Sequence, residues 1–325
     1  MPKARACALS SLMILAEGTL PILQVIEQGV TTGAIYALIA IGYTLVYGII
    51  QLINFAHGDV FMWGTLVTYF MLTRVLKLNQ PITNPFELIG IVLLLMALSM
   101  AACAVIAFTV ERIAYRPLRK AASVAPLISA IGASFILENL GLFAVGPSAV
   151  NVPNLFPNVT WTIFGVNFKN LDVFIMALAV ILMYALATFI SRTKMGRAMR
   201  SVSQDKEAAS LMGVNINQVI IITFLIGGAL AGAASVVYAM RLQVAFFFTG
   251  FEAGLKAFTA AVLGGIGNIY GAMLGGLFIG LVEAFVTAYI ENGLRWADAT
   301  VFAVLVLVLV FRPSGLLGKP EIQKV

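Results

Sequence analysis

The sequence predicts an all-α, polytopic helical membrane protein with about eight or nine membrane segments, and two observations predict it. Of its 325 residues, 61% are hydrophobic and only 10% are charged, with a mean hydropathy of +1.01. A soluble domain carries about 25% charged residues, so too few polar groups remain here to cover a surface in water. Apolar runs of about 20 residues recur along the chain, the length that crosses a bilayer core as a helix. No alternating pattern of about ten-residue strands repeats, which argues against a β-barrel. Backbone groups in lipid must bond within their own segment, and that makes the runs helices.

The first span is predicted from about Gln28 to Ile50, followed by the polar break QLINFAHGD at 51–59. A second apolar segment runs from Val60 to about Leu76, then the Pro- and Asn-rich loop KLNQPITNP. A third span covers about Phe86 to Val110 and ends in ERIAYRPLRKA, where Pro117 helps to stop the helix. A fourth runs from about Ala125 to Val145, and a long loop follows with Pro147, Pro153 and Pro157 and a weak glycosylation triplet at Asn158. A fifth covers about Leu171 to Ile190, and a sixth about Asn217 to Met240. The run 256–290 is too long for one ordinary span, and GGIGN at 264–268 divides it. The last span covers about Ala297 to Phe311.

Charge assigns the sides. The net charge of +6 falls in short loops rather than on one face, a signature of topology and not of nucleic-acid binding. Three basic regions, Arg112–Lys120, Arg192–Arg200 and Arg312–Lys324, are expected on the cytoplasmic side. Only a split at GGIGN gives the even number of crossings that puts the last two together. The same parity leaves the N-terminus outside, against Lys3 and Arg5. Residues 1–27 read as a leader or an uncertain start, loosely like a secretory signal. Residues 28–312 read as the transmembrane domain, with a cytoplasmic loop at 192–216, and 313–325 as a cytoplasmic tail. Cys7 and Cys103 make no disulfide framework, and Cys103 reads as a small packing residue.

Within the 192–216 loop stands DKEAASLMG, residues 205–213. Asp205 is a good N-cap, and Glu207 suits the positive end of a helix dipole. Ala208 and Ala209 favour helix and permit close docking. Leu211 and Met212 supply an apolar edge, and Gly213 fits the left-handed position past the end. A helix of about two turns is unstable alone, so it needs a partner surface.

Glu207-Ala208-Ala209, three residues and then Gly213 resemble the E-A-A-x-x-x-G loop of ABC importer permeases. The I-x-L-P element usual in that loop is absent, since QVIIITFLIGG follows. GAIYALIAIGYTLVYGIIQLINFAHGD, ERIAYRPLR, LISAIGAS, KAFTAAVLGGIGNIYGAMLGG and RPSGLLGKPE extend the resemblance, over nearly everything after Gln28, to branched-chain amino-acid permeases of the LivH type. The resemblance implies a bacterial inner-membrane subunit. Its implied partners are a second permease of the LivM type, two cytoplasmic ATPases that bind the ATP, and a periplasmic amino-acid-binding protein. It further implies that the 205–213 helix inserts into a groove of the ATPase. Permeases for urea, short amides or other amino acids look similar in the same motifs. From another class comes an ion-coupled secondary carrier.

Other polar groups have two readings each. Asn54, His57 and Asp59 either line the translocation path or cap and hydrogen-bond a helix break, where Gly58 would turn the chain. Glu138, Asn139 and Glu283 lie in apolar spans, as functional carboxylates and amide or as hydrogen-bonded helix contacts. Gly228 and Gly232, the series Gly267, Gly271 and Gly275, and Gly276 with Gly280 are spaced for close helix packing. Gly264 and Gly265 mark the break. Phe246, Phe247 and Phe248 read as an outer-loop cluster. No phosphate-binding P-loop, metal cluster or nucleophile motif stands in the sequence, so the chain is expected to be no enzyme and to bind no cofactor itself.

Overall fold

A computed structural model describes residues 22–119, 121, 124–157, 159–163, 166–312 and 314–318. Most of the leader, Asn158 and the basic residues Lys120, Lys319 and Lys324 lie outside the described residues. Among the described residues, seven helices are long and apolar enough to cross a membrane, so the fold is a polytopic helical bundle. Two shorter helices are embedded beside them, which makes the expected eight or nine an approximate count.

Helix α1, Ile22–Ile50, is the axis of the molecule, with 89% of its most apolar window buried. It begins six residues before the predicted Gln28, inside the stretch read as leader. Glu27 does not end the helix, because its carboxylate accepts from Thr31 Oγ1 at 3.3 Å and Gln24 Nε2 at 3.1 Å. After a break with Gln51 at φ +61°, α2 spans Ala56–Phe70 and widens into a π-turn at Met71–Val75. The break is therefore 51–55, shorter than predicted, and His57, Gly58 and Asp59 are helical.

Helix α3, Pro85–Val110, starts where Asn84 accepts from Phe86 N–H at 3.1 Å and Pro85 occupies the first turn. It continues through a π-turn at Glu111–Tyr115 and a 3₁₀ turn at Arg116–Leu118. Helix α4, Val124–Val145, is peripheral, with 11% of its window buried. Strand β1, Val150–Asn151, pairs antiparallel with β4, Val244–Ala245, while β2, Thr160–Ile163, and β3, Val166–Lys169, form a hairpin. Helix α5 covers Asn170–Arg192, α6 Lys194–Gln204, α7 Lys206–Leu211 and α8 Ile216–Leu242. Helices α9, Thr249–Gly264, and α10, Ile269–Tyr289, divide at the predicted break, and α11 spans Gly293–Phe311.

Small residues set the helix crossings, as packing in lipid requires. Gly276 faces Ala37, and Gly280 faces Gly33, where α10 crosses α1. Gly228 and Gly232 of α8 lie on α3, at Ala107 and at Ser99 with Met100. The Ser99 hydroxyl sits 3.1 Å from Ser235 Oγ and 3.1 Å from the Gly232 carbonyl, which satisfies buried polar groups at that crossing. Gly271 fits against Gly264, and Gly275 against Ala260. Gly267 does not belong to this ladder. It sits in the 265–268 turn at φ +90°, beside Gly265 at φ +101°, where a left-handed backbone and not packing selects glycine.

Contacts define two ends of the bundle. At one end, Lys206 Nζ donates to the Ile50 carbonyl, and Arg119 donates to Asn217 Oδ1. There too, Leu316 N–H donates to Leu263 O and Leu317 N–H to Gly264 O. Arg112 to Arg119, Arg192 to Arg200 and Arg312 thus gather at one end, the grouping that the charge pattern predicts. At the other end, Gln24 Nε2 donates to the Asn167 carbonyl, Ile82 N–H to Leu155 O, and Arg241 to Asp172 at 2.5 Å. Phe246, Phe247 and Phe248 form an edge-to-face chain there, between β4 and α9.

Candidate functional site

At the basic end, α6 and α7 form an arm between α5 and α8. Thr193 caps α6 by accepting from Gly196 N–H at 3.0 Å, and Met199 and Val202 bury its apolar face. Asp205 then caps α7, its Oδ1 accepting from Glu207 N–H at 2.9 Å and Ala208 N–H at 3.0 Å. Gly213, at φ +81°, closes the helix: Gly213 N–H donates to Ser210 O and Val214 N–H to Ala209 O, the six-to-one closure that satisfies the last carbonyls.

The orientation of this short helix separates an anchored face from an open one. Ala209 is buried at 4%, so its methyl seats α7 on the bundle. Asp205, Glu207, Ala208 and Gly213 are exposed. Leu211 and Met212 are 89% and 85% exposed, with their apolar side chains pointing away from the chain. Lys206, which the sequence reading passed over, ties the N-terminus of α7 to the last turn of α1 through the 3.0 Å bond to Ile50 O. A cation there suits the negative end of the α1 dipole. Burial lowers the Lys206 amine from its ordinary range, and the nearby Arg119 guanidinium adds to the shift.

The polar residues of the 51–59 segment are buried, each against a different neighbouring element. His57 is 1% exposed, and its Nε2 lies where a Cβ on Gly42 would fall, 2.5 Å away. Its ring meets Tyr43 edge-on at 4.6 Å, and Nε2 has no hydrogen-bond partner among the described residues. Gly58 does not turn the chain. It allows α2 to touch α9, where Gly250 O and Gly254 Cα would lie 2.3 and 3.2 Å from an added Cβ. Asp59, 3% exposed, accepts from the Ser134 hydroxyl of α4. Asn54 does not cap α2, whose cap position is Phe55. Its Oδ1 lies 3.3 Å from the Tyr115 hydroxyl, which is also 3.0 Å from the Ile53 carbonyl. A gap of about 10 Å³ beside Asn54, Tyr43, Tyr47 and Phe258 has room for about one water.

Of the remaining acids, Glu138 lies one turn of α4 beyond the Ser134 that donates to Asp59, whereas Glu283 is engaged elsewhere. Glu138 is half-buried on α4, and Asn139 is exposed, with its amide donating to the Phe135 carbonyl at 2.8 Å. Glu283 of α10 accepts from Lys256 of α9 at 2.8 Å, and Lys256 also pairs with Asp298 of α11 at 2.7 Å. The ammonium stands 5.9 Å from the centroid of the Tyr36 ring. Lys256 and Asp298 were missed in the sequence. The available signal was a lone cation in an apolar run, which lipid surroundings oblige to find an anion. Among the described residues no group of three His, Cys, Asp or Glu could hold a metal ion.

The comparisons with known proteins agree with this architecture. The family described as "Branched-chain amino acid transport system / permease component" matches residues 25–309. The chain is 42% identical to the high-affinity branched-chain amino acid transport system permease protein BraD of Pseudomonas aeruginosa, over 93% of this chain and 98% of that protein. It is 42% identical to the corresponding permease protein LivH of Escherichia coli K12, over 96% of this chain and all of that protein (100%). It is 31% identical to the autoinducer 2 import system permease protein LsrC of Shigella flexneri, but over only 41% of each chain. No solved structure matches. With the match running from the first turn of α1 to the end of α11, the chain belongs to the branched-chain amino acid transport permease family.

Proposed function

We infer that this chain is a transmembrane permease subunit of an ATP-driven importer in a bacterial inner membrane, carrying leucine, isoleucine and valine. It works with a second permease of the LivM type, two ATPases on the basic side and a periplasmic amino-acid-binding protein. One observation carries the reading: α7 is anchored by Ala209 and Lys206 yet presents Leu211 and Met212 almost fully exposed at the basic end. Near-complete exposure of two large apolar side chains beside a charged helix suits a groove in a soluble partner. The near full-length likeness to BraD and LivH supports the substrate class.

The mechanism follows from the attachments of α7. ATPase closure pushes α7, and the bond from Lys206 to Ile50 passes the push to α1. The 213–215 turn passes it to α8. The close packing at His57 and Gly58 then loosens as α1, α2 and α9 separate, giving alternating access. Affinity for substrate resides in the external binding protein, so the membrane route need only be transient.

The test is uptake of labelled leucine into vesicles that hold the full complex, with and without the ATPases, in the wild type and in a Leu211→Ser/Met212→Ser double variant. ATP-dependent uptake that falls at least about tenfold in the variant, with ATP hydrolysis retained, is the expected result. Uptake that proceeds without the ATPases and collapses with an ionophore would replace this reading with an ion-coupled carrier.

A further inference from the structure

A cleft outside the sites already described opens between α5 and α10 at the basic end. It has a volume of about 380 Å³, within the range of small-ligand sites. Its deeper wall is apolar, with Met183 and Met273. Along one face of α5, Tyr184, Thr188 and Arg192 follow each other at four-residue intervals, so they form a continuous stripe along one side of the cleft. At a rise of about 1.5 Å per residue, the stripe is about 12 Å long. Tyr270 of α10 closes the other side.

Donor inventory and charge decide what this cleft accepts. Arg192 has no hydrogen-bond or ion-pair partner among the described residues, and neither has the Thr188 hydroxyl. No acidic residue lines the cleft. Lys194, exposed at the start of α6, adds positive charge two residues beyond Arg192. The Arg200 guanidinium already covers the end of α5, through the Ile190 carbonyl, so Arg192 is not needed there. A guanidinium with free donors matches a phosphate oxygen pair. An apolar slot beneath it, on a face of two membrane-spanning helices, matches an acyl chain.

We propose that the α5–α10 cleft binds an acidic phospholipid of the surrounding leaflet, its phosphate on Arg192 and Thr188 and one acyl chain along Tyr184 and Met273. Basic pockets between spans on the cytoplasmic side are a known chemistry for such headgroups. The bound lipid fills a gap that would otherwise leave α5 and α10 in poor contact at the end where α5 feeds the α6–α7 arm. The lipid is thereby part of the bearing on which that arm moves.

The experiment is native mass spectrometry of the complete transporter, released from bilayers holding equal phosphatidylglycerol and phosphatidylcholine. The wild type is expected to retain phosphatidylglycerol in preference. Arg192→Gln is expected to lower the retained fraction about tenfold, the scale of one lost charge-assisted contact, and Arg192→Lys to restore part of it. Met273→Trp, which fills the slot, is expected to reduce retention with Arg192 intact. Inorganic phosphate in excess should leave the bound lipid in place. Equal retention of both lipids, no change in Arg192→Gln, or displacement by phosphate would overturn the proposal. So would a photoreactive group at Tyr184 that crosslinks to another protein subunit instead of to lipid.

Discussion

Gly42 and His57 are a size-matched pair: the imidazole occupies the volume a side chain at 42 would take. Gly42→Ala should therefore lower the thermal stability of the purified protein, and adding His57→Ala should recover part of the loss. Gly58 is less forgiving, since its missing Cβ faces the backbone of Gly250 and no flexible side chain can yield. Gly58→Ala should cost about 1–3 kcal/mol or prevent folding, read as loss of a monodisperse species. Gly90→Ala, with nothing within 4 Å, should be silent in the same assay. The sequence singled out His57 and Gly58 as a polar break and a turn. Gly42 does not stand out as the complement of His57, because that pairing joins separate helices and no local pattern encodes it. Asn54 went the same way: it looked like a cap, and its partner Tyr115 lies on another element.

Among elements, α7 was the most legible, because an N-cap, alanines and a terminal glycine specify a helix from local chemistry alone. Its neighbour α6 was read only as a basic stretch. The apolar positions Met199 and Val202 that bury it are too few to stand out among Lys194, Arg197 and Arg200. The GGIGN break was legible for a physical reason that the fold repeats: two glycines at positive φ cannot be held in a continuous helix. The element scale also carries a prediction about transmission. Lys206→Met removes the donor to Ile50 O and leaves Ala209 seated. Leucine uptake per ATP hydrolysed should fall, up to about tenfold, with the melting temperature little changed. An unchanged ratio would remove the α7-to-α1 link from the mechanism.

At the scale of the molecule, the span pattern was readable because each apolar run reports its own burial in lipid. The start of α1 was not, since Glu27 looks like an end until Thr31 and Gln24 are seen to satisfy it. The ion-paired triad Lys256, Glu283 and Asp298 was half visible, as one acid without its partners. The shared end of the three basic regions gives a topology test. In vesicles of known orientation, cysteines at Ser203 and Ser314 should react with an impermeant thiol reagent from one side, and those at Asn167 and Glu291 from the other. Cys103 is fully buried and should stay silent. Labelling of Ser203 and Asn167 from the same side would refute the assigned topology.

The short segment after α11 fastens that helix to the α9–α10 hairpin. Leu316 and Leu317 reach back to Leu263 and Gly264, and the Asn268 amide donates to the Leu317 carbonyl at 2.9 Å. At the opposite end, Asp298 is moored to Lys256. Helix α11 itself is almost unburied, with 11% of its window covered. It is therefore strapped at top and bottom while the rest of the chain leaves its flank uncovered, like a handle bolted at both ends. Such a handle can bow or tilt under load without coming off, so α9 can shift against α1 during transport while its hairpin with α10 stays fastened.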